Sequence, residues 1–288
     1  MLRGVIPILQ TPFDEGGRLD LNSLRREVAY VCDAGADGMC FPGFVSEWWK
    51  LSEEEILLAA KIIRESSSIP VVFNVTAQST YHAVAQAHAF EQIGCEAMMV
   101  LPPFVVPASP DAVMAHLGAV MDATRVPQIL QYSASLTGVR ISMESLRDLA
   151  AKYPAFSSIK VDFIPPGPMT TALVEAFPAG RMSYLIGYSG LHLPEFLARG
   201  GHGLMGGAGH VGPDVHAFKE LLAGHAEPFE KLLPLLNFEM QTIDLCTAVH
   251  KLLLKDQGVF AAAQLRNPGA GLDEVQTRLA RQLFSATI

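Results

Sequence analysis

No run of about 18 consecutive apolar residues occurs in this 288-residue sequence, which argues against a membrane-spanning helix. The N-terminal segment MLRGVIPILQTPFDEGG has one arginine and a short apolar run but no small-residue cleavage site, so a cytoplasmic location is expected. Cysteine is scarce: Cys32, Cys40, Cys95 and Cys246 show no C-x-x-C spacing and sit among apolar neighbours, which suits core thiols rather than zinc ligands or a disulfide framework. Basic runs are missing too. Lysine and arginine number 21 against 29 acidic residues, a formal net charge of −8, so there is no electrostatic footprint for nucleic acid and a small-molecule partner is expected. With half of the residues apolar and 17% charged, the chain can bury one large core, or a core with an appended piece, and a disordered or fibrous protein is excluded.

What is present is alternation. Short, nearly continuous apolar runs mark candidate strands at 4–10, 36–43, 70–75, 96–103, 127–133, 156–161, 182–187 and 203–207. Between and after them, apolar residues at three- and four-residue spacing predict helices at 21–34, 52–65, 80–93, 110–123, 142–151, 169–177, 191–198 and 213–222. Ser52-Glu53-Glu54-Glu55 has the capping-box pattern, and Pro110 and Pro213 suit first helical positions. Strands apolar on both faces are expected where helices cover a parallel sheet. Eight strand–helix repeats therefore predict an α/β fold, a TIM (β/α)8 barrel. An open doubly wound sheet is the alternative, weakened by the lack of G-x-G-x-x-G after the first strand. Past Ala223 the alternation stops, so residues 1–224 are expected as the barrel and 225–288 as a C-terminal helical extension, broken at Asn267-Pro268-Gly269.

In such a barrel, chemistry belongs at the C-terminal ends of strands and in the loops after them. The polar groups there are Thr11, Ser46, Glu47, Asn74, Thr76, Gln131, Tyr132, Ser133, Lys160, Asp162, Tyr188 and Ser189. Lys160 stands apart. Of eight lysines, the other seven fall in polar or helical contexts where a solvated amine explains them, while Lys160 ends a predicted strand. Burial disfavours the charged amine and frees a nucleophile that attacks a ketone to give a Schiff base. The competing reading is a lysine with its head in water or paired with Asp162.

Several motifs carry a resemblance that runs nearly end to end. Ile8-Leu9-Gln10-Thr11-Pro12-Phe13-Asp14, Gly43-Phe44-Val45-Ser46-Glu47, Pro127-Gln128-Ile129-Leu130 with Ser135-Leu136-Thr137-Gly138, and Ser158-Ile159-Lys160 follow in order. The chain resembles the dihydrodipicolinate synthase/N-acetylneuraminate lyase family of class I aldolases and dehydratases. The resemblance implies that Lys160, on the family's Gly-Ile-Lys, is the Schiff-base residue for a 2-oxo acid such as pyruvate. It implies a cytoplasmic homotetramer, a dimer of dimers, with the lysine imine in place of any cofactor and with no metal. His192, His202 and His210 are expected as structural histidines rather than a metal cluster.

Departures from the family pattern shift the expected substrate. Phe44 and Val45 replace two carboxylate-binding threonines, leaving the backbone around Val45 and Ser46, with the Ser46 hydroxyl, to hold a carboxylate. The family's acid–base tyrosine position is Gln131, and Tyr132 follows it. Strand alternation turns Tyr132 the other way unless a bulge re-aims it, so both stay in the catalytic set with Lys160. Leu136 replaces an arginine for a second carboxylate and Phe104 a relay tyrosine. Lys160-Val161-Asp162-Phe163-Ile164-Pro165-Pro166, the segment 252–259 and Arg266-Asn267-Pro268 resemble the branch acting on 2-keto-3-deoxy sugar acids. Aldol cleavage, condensation or dehydration is expected, with Val45, Ser46, Glu47, Asp162, Tyr188, Ser189 and Gly207 as substrate contacts or proton-transfer groups. The alternatives are authentic dihydrodipicolinate synthase activity on pyruvate and aspartate semialdehyde, or a 2-oxo-acid-binding barrel with little activity.

Overall fold

The computed structural model describes residues 2–287. In chain order the barrel elements begin with β1 (Gly4–Val5), α1 (Leu21–Asp33), β2 (Met39–Phe41), α2 (Glu53–Ser66), β3 (Val71–Val75), α3 (Thr80–Ile93), β4 (Ala97–Val100) and α4 (Pro110–Ala123). They continue with β5 (Gln128–Tyr132), α5 (Ala134–Thr137), α6 (Met143–Lys152), β6 (Phe156–Val161), α7 (Gly167–Ala176), β7 (Ser183–Ile186), α8 (Leu193–Ala198), β8 (Gly203–Leu204) and α9 (Val211–Leu222). Three helices follow, α10 (Glu227–Glu239), α11 (Ile243–Asp256) and α12 (Glu274–Ser285). This is the strand–helix alternation of a TIM barrel with added C-terminal helices, as expected. No helix among the described residues is long and apolar enough to cross a membrane.

The local signals explain most boundaries. Ser52 caps α2 through a capping box with Glu55, and Pro110 opens α4 behind the Ser109 cap. α9 starts at Val211, so Pro213 is its third residue, still in the first turn where a missing N–H costs nothing. Strand β4 stops at Val100, short of the expected 103, because Pro102 and Pro103 have no N–H for the ladder.

The chain divides into two compact units. The first comprises residues 1–3, 72–188 and 192–204 and holds the parallel run β8-β7-β6-β5-β4-β3 with the helices that cover it. Its strand side chains are almost wholly withdrawn from water, with Phe73, Leu130, Ile159 and Leu185 at 0% exposure, each worth roughly 1.5–3 kcal/mol of burial. The second unit comprises residues 4–71, 189–191 and 205–288. There Ile8 bridges in parallel to Cys40 on one side and to Gly207 on the other. The C-terminal helices belong to this unit, with Leu235, Val249, Leu253 and Ala280 forming an apolar seam between α10, α11 and α12.

Candidate active site

In the first unit, β5 and β6 pair in parallel with Gln131 opposite Lys160 and Tyr132 opposite Val161. Lys160 is 6% exposed, and its Nζ donates to Asp162 Oδ2 at 3.1 Å. That same oxygen accepts from Gln131 Nε2 at 3.2 Å and from Ser133 Oγ at 2.6 Å. A carboxylate can only accept, so its contact fixes which way the Gln131 amide points, and Gln131 Oε1 is left to accept from Asn74 Nδ2 at 3.0 Å. The Asn74 orientation is thereby set as well, and Asn74 Oδ1 is a buried acceptor without a protein partner. Asp162 lies so close to the Gly187 backbone that a Cβ there would overlap its Oδ1, with Lys160 Cε 3.3 Å away. Glycine is needed at 187 for this close approach.

Tyr132 is turned out of this network. Its hydroxyl donates to Ile141 O at 2.8 Å and accepts from Ile141 N at 2.9 Å, and its ring meets Phe163 edge-on at 4.7 Å. Burial pushes its phenol above the ordinary range. The register irregularity between β5 and β6 lies earlier, at Gln128/Ile129, so alternation holds over Gln131 and Tyr132, and the structure places Tyr132, expected as catalytic, outside the Lys160 network with its hydroxyl on Ile141. Tyr188 begins the turn after β7 with φ of 49° and is half-buried. Burial first, and the Asp162 carboxylate second, raise its pKa.

The remaining candidates lie in the second unit, where most are committed to structure. Val45 is half-buried on the short helical turn Phe44–Ser46. Ser46 Oγ accepts from Gly43 N at 2.9 Å and donates to Leu9 O at 2.5 Å, while its amide donates to Gly43 O at 2.9 Å. Both Ser46 donors are therefore engaged within the protein, which corrects the Ser46 part of that expectation and leaves the Val45 part as it stood. Thr11 Oγ1 donates to Ser46 O at 2.5 Å and ties down the same turn. Glu47, fully buried with φ of 57°, accepts from Lys251 Nζ, from Lys50 Nζ at 2.7 Å and from Arg266 N at 3.1 Å. It is the centre of an ion cluster rather than a proton-transfer group. Ser189 has its Oγ 3.7 Å from Cys246 Sγ. Gly207 gives room to the His250 ring, which a Cβ would overlap, so its place in the substrate set becomes a packing role.

Two features of this unit escaped the sequence reading. Lys251 is 0% exposed, not a solvated surface amine, and its pKa is lowered to about 8 by burial, opposed by Glu47. The signal was there, since apolar residues flank it on α11. His210 lies with Glu239 and His250, all three fully buried. His210 donates to Asp214 Oδ2 at 3.0 Å and to Glu239 Oε1 at 3.1 Å; burial opposes its charge, but the two carboxylates outweigh this and raise its pKa well above 6.5. His250 Nδ1 accepts from Gly209 N at 3.0 Å, so its proton is on Nε2, facing Glu239. A metal ion would need that nitrogen's lone pair. The set reads as an imidazolium held between two carboxylates.

Comparison with known proteins matches residues 1–286 to the dihydrodipicolinate synthetase family. An L-2-keto-3-deoxyarabonate dehydratase of Azospirillum brasilense is 26% identical, over 92% of this chain and 88% of that protein. The 4-hydroxy-tetrahydrodipicolinate synthase 2 of Streptomyces coelicolor is 30% identical, over 95% of this chain and 91% of its own length. Among solved structures, dihydrodipicolinate synthase from Rhodopseudomonas palustris superposes with a TM-score of 0.90 at 23% identity, covering 99% of this chain and 97% of that one. A prophage protein of the dihydrodipicolinic acid synthase family from E. coli K12, in complex with pyruvate, gives 0.89 at 20% identity, covering 100% and 99%. At these identities the structures speak to the fold alone.

Proposed function

Because the chain belongs to the dihydrodipicolinate synthetase family, we propose that it is a class I lyase in which Lys160 forms a Schiff base with a 2-oxo acid, either pyruvate or a 2-keto-3-deoxy sugar acid. The observation that carries this reading is the buried Lys160 amine paired with Asp162, on a strand end where Gln131 braces the carboxylate from across the sheet. Asp162 stands where it can take the ammonium proton. The neutral amine adds to C2, Asp162 returns the proton to the carbinolamine hydroxyl, water leaves, and the resulting iminium withdraws electrons from C3. Asp162, again a carboxylate beside the imine nitrogen, then serves as acceptor for a C3 proton. Loss of the C4 hydroxyl gives dehydration, and breaking C3–C4 gives aldol cleavage. The iminium is the electron sink, so the reading calls for no further cofactor.

The relative that dehydrates a keto-deoxy sugar acid supports that substrate class, as does Leu136 in place of a charged side chain for a second carboxylate. The rival reading, condensation of pyruvate with aspartate semialdehyde, is favoured by the 30% identical synthase. A cytoplasmic homotetramer is part of the same proposal. Borohydride reduction with pyruvate and with 2-keto-3-deoxy acids, read by intact mass and peptide mapping, tests it. A reduced adduct on Lys160 is expected; absence of an adduct there with every 2-oxo acid overturns the imine. Turnover assays with aspartate semialdehyde and with keto-deoxy acids then separate the two substrate classes.

A further inference from the structure

A strand position that only packs is served best by an apolar side chain, because an amide withdrawn from water must find partners for its polar atoms or lose their hydration. Asn74, on β3 between Phe73 and Val75, breaks that pattern. It is 0% exposed and its Oδ1 has no protein partner, so an amide is held here at a cost. What the amide does in return is donate from Nδ2 to Gln131 Oε1 at 3.0 Å.

We infer that Asn74 is a positioning residue of the Lys160 site, acting through Gln131 to keep an N–H edge toward the Asp162 carboxylate and so hold Asp162 ready to accept a proton. The inference rests on the Lys160 imine reading and adds to it a residue that works from beneath the site.

The strand register puts these groups in two layers. Asn74 is level with Met99 on β4, and Met99 with Ile129 on β5. Gln131 lies two residues beyond Ile129, so it shares their face of the sheet one layer nearer the strand ends, level with Lys160 on β6. Neighbouring strands are about 4.8 Å apart, so the hydrogen bond from Asn74 to Gln131 passes over β4 and joins backbones about 10 Å apart, which two side chains bridge only from a shared face. Each amide has a donor end and an acceptor end, and the contacts admit one arrangement. Asp162 Oδ2 accepts from Lys160 Nζ, Ser133 Oγ and Gln131 Nε2. Turning the Gln131 amide over would set Oε1 against Oδ2, oxygen against oxygen, a contact that holds only with a proton between them. Asn74 Nδ2 blocks that turn, because it would then face Gln131 Nε2, donor against donor. An apolar residue at 74 would leave both orientations open, and one of them competes for the proton that Asp162 has to take and give.

The effect is read most simply in exchange of pyruvate methyl protons with D2O, which needs the imine and the C3 proton transfer but no second substrate. With pyruvate held as the Lys160 iminium, Asp162 takes a methyl proton, the C2=C3 enamine forms and the nitrogen becomes neutral. The acid on Asp162 exchanges with solvent and returns a deuteron to C3, which restores the iminium.

Two substitutions test this, read by NMR well below each variant's melting temperature. Asn74→Leu removes the donor, and Asn74→Asp replaces it with an acceptor that draws Gln131 Nε2 away from Asp162. The kcat for exchange is expected to fall about 10-fold in Asn74→Leu and about 10²-fold in Asn74→Asp at neutral pH, with KM for pyruvate within about threefold of wild type and the borohydride adduct still on Lys160. The ratio of Asn74→Asp to wild type rises as pH falls from about 8 to about 5, because the buried carboxyl at 74 then carries a proton it can donate to Gln131 Oε1. In a Gln131→Met background, Asn74→Leu changes exchange by less than about twofold, the mark of a residue that acts through Gln131. Full exchange in Asn74→Leu overturns the assignment, as do a pH-independent ratio for Asn74→Asp and a loss in Asn74→Leu that adds in full to that of Gln131→Met. Should one of the two variants not fold, the other decides alone; should neither fold, Gln131→Met must show the loss, and full exchange there overturns the assignment. Trapping by wild type without exchange overturns it too, since Asp162 then takes no C3 proton. If wild type neither traps nor exchanges pyruvate, the imine reading itself fails and takes this assignment with it, a result distinct from the others.

Discussion

Lys160 and Lys251 are both withdrawn from water, in different units of the protein and by different means. Lys251 Nζ is held by Glu47 and by Gln264 O at 3.1 Å, and it lies 4.4 Å from the centroid of the Phe13 ring. Glu47 is in turn held by Lys50 and Arg266 N, so the amine is locked from several directions. Lys160 has its hydrogen bond to Asp162, a carboxylate already shared with Gln131 and Ser133. The contrast teaches that burial and a lowered pKa do not by themselves make a nucleophile. Lys251 has both, yet its hydrogens go to Glu47 and Gln264 O, whereas the role proposed for Lys160 rests on Asp162, a carboxylate two residues away on the same strand end.

Replacing each lysine by methionine is the most direct way to break this comparison. Lys160→Met should lose the borohydride adduct and lower turnover by on the order of 10⁴-fold or more, with a smaller loss of stability than in Lys251→Met because Asp162 keeps its hydrogen bonds from Gln131 and Ser133. Lys251→Met should keep the adduct and lose about 3–5 kcal/mol of stability in urea, because Glu47 is left buried without its main counter-charge. A folded Lys251→Met that no longer traps pyruvate, beside a Lys160→Met that does, would reverse the assignment.

The glycine under the lysine pair gives the next effect. In Gly187→Ala a Cβ would overlap Asp162 Oδ1, so the carboxylate must swing away from Lys160. Steady-state kinetics should show kcat down about 10²-fold, the low end for a displaced acid–base group, with the Lys160 adduct still forming on longer incubation. Unchanged kcat would mean that Asp162 positioning is not needed.

How much of this was legible in the sequence depends on how local each cause is. β6 at Phe156–Val161 and α3 at Thr80–Ile93 were readable residue for residue, since apolar spacing and caps lie within the segment. Lys160 and Asp162 could be picked out together because they lie two residues apart at a strand end. Glu47 could be picked but not understood, because its partner Lys251 is 204 residues away. Separation in sequence also hid the meeting of His210, Glu239 and His250, which the start of α9, the end of α10 and the middle of α11 bring together. Tyr132 against Gln131 was decided by alternation, a local rule, and by Ile141, whose N–H and C=O no periodicity announces as the hydroxyl's partners.

The charged clusters of the second unit also set a pH signature. The His210 proton stabilises the fold fully below its unfolded pKa near 6.5, and because the folded value is raised, that contribution is lost as pH climbs from there. Glu239 is lowered, against burial, by His250 and His210, so its contribution is present above about 4.5 and lost as pH falls below it. Lys251 runs opposite to His210: its folded pKa near 8 is below the unfolded 10.5, so the cost of burying its charge is relieved between those values. Urea titrations of wild type should lose about 1 kcal/mol or more between pH 6 and 8, and His210→Asn should lack that slope. A wild-type profile flat across that range would show that His210 is neutral in the folded protein.

The smallest effect separates Tyr132 from the Lys160 network. Tyr132→Phe keeps the ring against Phe163 but leaves Ile141 N and O, buried beside it, without the hydroxyl that both gave to and took from them. Losing one group that satisfies two backbone partners should cost about 1–3 kcal/mol in urea unfolding. Because Gln131, not Tyr132, shares Asp162 with Lys160, kcat at a temperature well below the melting point should stay within about threefold of wild type, a change too small for a lost acid–base group. A loss of 10²-fold or more in a variant of normal stability would return Tyr132 to the reaction and require its hydroxyl to leave Ile141 when substrate binds.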